Sequence, residues 1–153
     1  MKYKRIMVAV DGSDTSNLAL QEAVQLTKDQ EAKLQIINVV DEALVQYTDG
    51  YVDFNPYMEA YIEEGKELLS RINDEVKQYN IDFETRLVVL KLLGGRLAEK
   101  IVAEAKAWPA DLLVIGTHGR HGFSHLFLGS VAEKVLRLAT MPVLLIRGKN
   151  NKK

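Results

Sequence analysis

One segment of the chain, Gly116 to Ser130, concentrates the residue types that could bind an anion. Its glycines follow the spacing G-x2-G-x9-G-S, which is set by Gly116, Gly119 and Gly129. A glycine main chain can approach a ligand closely, and successive amide N–H groups in such a loop form a concave site for anions. Arg120 adds a cationic group within the same segment. The pattern therefore predicts a loop that binds phosphate groups.

The segment leads into a predicted helix, because Val131, Val135 and Leu138 recur at helical spacing. A helix N-terminus supplies amide groups without partners and the positive end of the helix dipole, which both suit phosphate. A simpler interpretation is also open. Ser130 and Glu133 fit an S-x-x-E capping box, which would account for both residues without a ligand. Glycines that follow a strand can likewise form only a turn.

All histidines of the chain lie in the glycine segment, at His118, His121 and His125. Histidine is a common metal ligand, but the segment contains neither cysteine nor a carboxylate to complete a transition-metal site. We therefore expect phosphate contacts or solvent exposure for these side chains. Asp11, in the turn after the first predicted strand, could cap backbone amides or could approach a ribose or a nucleotide-bound Mg²⁺.

The predicted elements alternate between strands and helices along the whole chain. Strands are predicted at 6–10, 34–40, 83–90, 111–115 and 143–146, and helices after the 11–14 turn, over 58–79, over 97–108 and from 130 to 138. This order predicts one α/β domain with a parallel sheet covered by helices on both faces. An aromatic-rich connection over 41–56 could pack over a helix or close over a ligand.

Composition narrows the function classes. The chain has 153 residues, a net charge of −1 and no cysteine. The absence of a basic excess disfavours nucleic-acid binding, and no apolar run reaches the length of a membrane span. We expect a cytoplasmic protein with one domain over 3–147 and a basic tail over 148–153.

The motifs together resemble those of universal stress proteins. The glycine spacing is followed by the segments V-A-E-K-V-L at 131–136 and M-P-V-L-L-I at 141–146. The opening I-M-V-A-V-D-G-S at 6–13 and N-V-V-D at 38–41 resemble the family's first strand with its turn and its second strand end. The resemblance extends from about Tyr3 to Arg147. It implies a Rossmann-like, five-stranded sheet of order 3-2-1-4-5 and membership of the ATP-binding subgroup that carries the glycine motif.

The resemblance also implies a set of site residues around an adenine nucleotide, ATP in the first place, with Mg²⁺ held through the nucleotide. Ala9 and Val39 would line the adenine pocket, and Asp11 would approach the ribose or the metal. The ribose and phosphates would contact the glycine segment and the helix after it. The predicted contacts there are Gly116, Thr117, His118, Gly119, Arg120, His121, Gly122, Gly129, Ser130, Val131 and Ala132.

Three functions remain open from the sequence. The chain lacks G-x4-G-K-[ST], a cysteine nucleophile and a G-x-S-x-G elbow, so the main classes of motif-bearing NTPases and hydrolases are disfavoured. The first hypothesis is a nucleotide-binding regulatory module in stress response. The second is a slow ATP hydrolase or autophosphorylating phosphotransferase, and the third is a dimeric scaffold without nucleotide. The apolar last strand, at the sheet edge by the family's order, predicts a homodimer.

Overall fold

A computed structural model describes residues 2–42, 54–91, 96–118 and 128–148. Strands and helices alternate along the chain, as the sequence predicts. The elements are β1 (Arg5–Ala9), α1 (Asp14–Gln30), β2 (Lys33–Asp41), α2 (Phe54–Val76), a short 3-10 helix (Lys77–Tyr79), β3 (Asp82–Leu90), α3 (Leu97–Ala107), β4 (Leu112–Gly116), α4 (Ser130–Leu138) and β5 (Val143–Ile146). No helix among these ranges is long and apolar enough to cross a membrane.

The strands form one parallel sheet with the order β3-β2-β1-β4-β5. Val8 of β1 pairs with Ile36 of β2 on one side and with Val114 of β4 on the other. The connection that follows β1 therefore leads towards one half of the sheet, and the one that precedes β4 returns to the other half. This confirms the predicted order and creates a topological switch point at the carboxyl ends of β1 and β4.

Helices cover both faces of the sheet. On one face α1 and α2 pack over buried residues such as Ile6, Val8 and Leu34. On the other face α3 and α4 pack over Met7 and Leu113. Burial on both sides explains why the inner strands are nearly continuous apolar runs rather than alternating patterns.

Several element boundaries differ from those predicted. The helix α2 begins at Phe54, so Pro56 lies in its first turn, where proline is tolerated because those amides have no intrahelical acceptor. The same helix ends at Val76 and tightens into the 3-10 turn instead of continuing to Tyr79. Gly116, predicted to begin a loop, is the last residue of β4.

The amino end of the sheet is tied together by Arg5. Its guanidinium lies 4.1 Å from the ring centroid of Trp108, and its Nε donates to the Pro109 carbonyl at 3.1 Å. The carboxylate of Asp111 accepts hydrogen bonds from the amides of Lys4 and Arg5. These contacts join the start of β1 to the segment before β4, at the end of the sheet opposite the switch point.

Candidate functional site

The turn between β1 and α1 is fixed by short polar side chains. The amide of Asp11 donates to the Ser16 hydroxyl at 3.2 Å, and its carboxylate accepts from the Ser13 amide at 2.9 Å. Ser13 is the N-cap of α1 and accepts from the Ser16 amide at 3.2 Å. Gly12 has a φ of 85°, which a residue with a Cβ rarely adopts. Asp11 thus caps backbone, one of its two predicted roles, and its ligand role stays a prediction.

The end of β4 and the start of α4 are joined directly. The Thr117 amide donates to the Ile146 carbonyl at 2.9 Å, which extends the contact with β5. The Thr117 carbonyl in turn accepts from the Gly129 amide at 2.8 Å. A Cβ built on Gly129 would lie 2.6 Å from that same carbonyl oxygen. Glycine is therefore required at 129 by the close approach of two main chains.

The predicted capping box at the start of α4 is wrong. Gly129 is the N-cap, and no side chain in the described part of the chain caps the helix. Because the helix begins at Ser130, the Glu133 amide makes its helical bond to the Gly129 carbonyl at 2.9 Å, and Ser130 is one residue too late to cap. The Glu133 carboxylate instead pairs with Arg137 at 2.9 Å. Among the residues that the structure describes, no side chain accepts from the first amides of α4, and such a helix start suits an anion.

The first turn of α1 and the end of β4 lie against each other. A Cβ built on Gly116 would lie 2.7 Å from Cγ2 of Thr15, in the first turn of α1. A Cβ on Gly148, just after β5, would lie 2.9 Å from the Thr15 hydroxyl oxygen. Thr15 therefore connects the start of α1 with the carboxyl ends of β4 and β5 beside the switch point.

His118 contributes a buried polar atom to this region. Its Nδ1 lies 3.1 Å from the hydroxyl oxygen of the buried Thr117. Its Nε2 is buried and has no hydrogen-bond partner among the residues that the structure describes. In either tautomer Nε2 is a donor or an acceptor that a bound polar group would satisfy.

The two residues predicted to line the adenine pocket lie at neighbouring strand ends, and their contact with a ligand stays a prediction. Ala9 and Val39 are partly buried at the carboxyl ends of β1 and β2, on the face that α3 and α4 cover. In α4, Ser130 and Val131 are exposed, whereas the Ala132 side chain is buried in the core, so a contact from Ala132 would come from its main chain. The predicted contacts at 119–122, together with the other two histidines, lie outside the described residues.

Asp11 is the predicted metal contact, through a bound nucleotide. Over the described ranges, no group of three or more histidine and carboxylate side chains could hold a metal ion by itself. Metal binding thus stays a prediction that depends on the nucleotide.

Three residues of the region were not among the predicted site residues. Thr15 packs against the ends of β4 and β5, Ser16 accepts from the Asp11 amide within the β1–α1 turn, and Asn38 donates from Nδ2 to the Val10 carbonyl at 2.8 Å. Ser16 had a signal in its spacing from Ser13, which is that of a capped helix start. Asn38 had a signal as well, since it is an amide in the middle of the apolar strand I-I-N-V-V.

Fold and site together define a doubly wound α/β domain with its candidate binding crevice at a topological switch point. The model of the universal stress protein family matches residues 2–147, and the chain belongs to that family. The universal stress protein MJ0531 of Methanocaldococcus jannaschii is 33% identical over 145 residues, which cover 95% of this chain and 82% of that protein. The universal stress protein YxiE of Bacillus subtilis is 33% identical and covers 95% of this chain and 99% of its own length.

Solved structures of the family share the fold. A universal stress family protein from Burkholderia pseudomallei superposes with a TM-score of 0.77 at 32% identity, covering 95% of this chain and 97% of that one. A universal stress protein in complex with cAMP superposes with a TM-score of 0.63 at 29% identity, covering 96% of this chain and 98% of that one. The universal stress protein from Archaeoglobus fulgidus in complex with dAMP superposes with a TM-score of 0.68 at 26% identity, covering 96% of this chain and 100% of that one.

Proposed function

We propose that the protein binds an adenine nucleotide, ATP in the first place, in the crevice between the β1–α1 turn and the start of α4. The observation that carries this proposal is the start of α4, where no side chain of the described ranges caps the helix and the Gly129 amide donates to the Thr117 carbonyl at 2.8 Å. A helix N-terminus in this state, at a switch point, favours a phosphate group.

Two family structures support the choice of ligand. One family member is in complex with cAMP and another with dAMP, both of which contain adenine and phosphate. The preference for a triphosphate is our extension. It rests on the additional glycines and Arg120 of the predicted loop. The glycines would supply more backbone amides than a monophosphate needs, and Arg120 would add a positive charge.

Each group would have a distinct role in this proposal. Ala9 and Val39, half-buried at the strand ends, would line the base, and the Asp11 turn would meet the ribose or a nucleotide-bound Mg²⁺. The amides of Ser130 and Val131 would bind phosphate oxygens, and the orphaned Nε2 of His118 would bind a ribose or phosphate oxygen. Binding would then bias the protein between conformations or assemblies, which is the regulatory role that we infer.

A charge placed at the start of α4 tests the site. Ser130→Asp should leave the helix as stable or more stable, because an acidic residue in the first turn favours the dipole. The same carboxylate should repel phosphate and weaken ATP binding, measured by titration calorimetry, by roughly tenfold or more. Ser70→Asp is the matched control, since Ser70 is an exposed residue of α2 and receives the same charge away from the crevice.

The outcomes separate the hypotheses. Loss of affinity in Ser130→Asp but not in Ser70→Asp supports the site, and equal affinity in both contradicts it. No binding by the wild type at millimolar ATP favours a scaffold without nucleotide. Release of phosphate by the wild type above the level of Ser130→Asp favours slow hydrolysis.

We propose in addition that the protein forms a homodimer through β5. The strand lies at the edge of the sheet, and its residues Val143–Ile146 are only partly buried in the single chain. An apolar edge strand with unpaired amides and carbonyls favours pairing with a second copy. Multi-angle light scattering at micromolar concentration should give twice the mass of the chain, and a monomer would rule this assembly out.

A further inference from the structure

Asn38 is a buried amide in the middle of the apolar strand β2, with a relative exposure of 7%. Its Nδ2 donates to the carbonyl of Val10 at 2.8 Å. Val10 is the residue between the end of β1 and Asp11, so the bond lies at the point where the strand passes into the turn of the proposed site.

This bond extends the connection between β1 and β2 beyond their ladder. The paired register ends at Ala9 with Ile37, and the Val10 amide still donates to the Ile37 carbonyl at 2.8 Å. The Asn38 side chain then donates a hydrogen bond to the carbonyl of Val10. Because Val10 is buried, its carbonyl would otherwise lose the hydrogen bond that it has with water in the unfolded chain.

The helix α2 packs against the Asn38 side chain and holds it in place. A Cβ built on Gly65 would lie 2.6 Å from Oδ1 of Asn38 and 2.7 Å from Cδ1 of Leu87. The α2 backbone therefore rests directly on the amide, which has little room to turn. The glycine in the middle of this helix, where it is otherwise unfavourable, is explained by that contact.

We propose that Asn38 is a positioning residue for the nucleotide site: through the Val10 carbonyl it sets the direction of the Asp11 turn. Asn38 lies on the α1 and α2 side of the sheet with Val10, whereas Ala9 and Val39 face the proposed pocket. It therefore acts on the ligand only through the backbone. The effect on binding rests on the proposed function, but the effect on the turn does not.

The test compares Asn38→Ala and Asn38→Asp with Thr27→Val. Thr27 is also buried and also donates to a backbone carbonyl, that of Ala23 at 2.7 Å, but it lies towards the other end of α1. We expect the Asn38 variants to bind ATP roughly tenfold more weakly by calorimetry. Thr27→Val should shift only the urea midpoint. Folded Asn38 variants with wild-type affinity would overturn the proposal.

Two further measurements keep the outcome decisive. In the free protein, the amide NMR signals of Asp11, Gly12 and Ser13 should move in the Asn38 variants and stay in place in Thr27→Val; unmoved signals overturn the proposal even if the wild type binds no ATP. Gly65→Ala keeps the amide but presses a methyl group against it, so it should move the same signals. If the Asn38 variants fail to fold, Gly65→Ala provides the test. Amide signals that stay in place in Gly65→Ala would contradict the proposal.

Discussion

A double-mutant cycle between Gly116 and Thr15 tests whether the first turn of α1 contacts the end of β4 as the structure shows. In Gly116→Ala the new methyl would lie 2.7 Å from Cγ2 of Thr15, whereas carbon atoms pack at about 3.5–4.0 Å. The backbone at 116 does not have a positive φ, so the cost comes from crowding and not from conformation. Overpacking of this kind costs about 1–3 kcal/mol.

Thr15→Ser removes the crowded methyl and keeps the hydroxyl that lies beside Gly148. Since Thr15 is only partly buried, losing one methyl group should cost less than about 0.8 kcal/mol. The double variant should therefore recover most of the stability that Gly116→Ala loses. We expect a coupling energy of at least about 1 kcal/mol in favour of the pair.

Urea unfolding followed by circular dichroism measures the free energy of unfolding of the four proteins without nucleotide. Equal m-values are required, since they show that the unfolded states are comparable. If the double variant is as unstable as the sum of the two single changes, Thr15 does not touch the end of β4. The crevice described between the two turns would then be wrong.

Three further predictions concern stability. Gly129→Ala should cost about 2 kcal/mol in urea unfolding, because its Cβ would lie 2.6 Å from the Thr117 carbonyl and break the amide bond there; wild-type stability would contradict the tight approach. The pKa of Glu84 is held below its ordinary 4.5, mainly by the Gln35 side-chain amide, which donates to the Glu84 carboxylate at 2.6 Å. The stability that this pair contributes is therefore fully present above pH 4.5. It is lost as the pH falls through the lower pKa of the folded state. Glu84→Gln should flatten that acid dependence of the urea midpoint, and an unchanged profile would exclude the pair as its cause. Arg5→Lys should lower the free energy of unfolding by about 1 kcal/mol, because lysine cannot both stack on the indole and donate from a guanidinium; an unchanged melting temperature would show that the stacking is unimportant.

The fold was predictable because its signals are long and repeated. The β-branched runs at β1, β2 and β4 are buried on both faces, and such runs alternating with helical periodicity admit few topologies. The order of the strands came from the family resemblance and is confirmed by the pairing of β1 with both β2 and β4.

The local hydrogen bonds of the site were less predictable, because they depend on the exact residue at which each helix or strand begins. A capping box needs Ser130 just before the helix, and the helix begins at Ser130 itself, so a shift of one residue removes the cap. Gly129 was predicted from its spacing, but the need for it comes from a main-chain contact with Thr117 that no local pattern encodes. Asn38 was visible as a polar residue in an apolar strand, yet its partner is far away in sequence.

The hydrogen bond from Gly129 to Thr117 has a consequence for how the region can vary. It anchors both ends of the intervening stretch to the scaffold, with Thr117 also held by β5 and Gly129 continuing into α4. Because closing a longer loop adds only a small entropic cost, we expect that a change in the number of residues between the two anchors leaves α4 in place. Under the proposed function, exchanging the residues between Thr117 and Gly129 for those of a relative would change the ligand contacts while the two anchors keep their hydrogen bond.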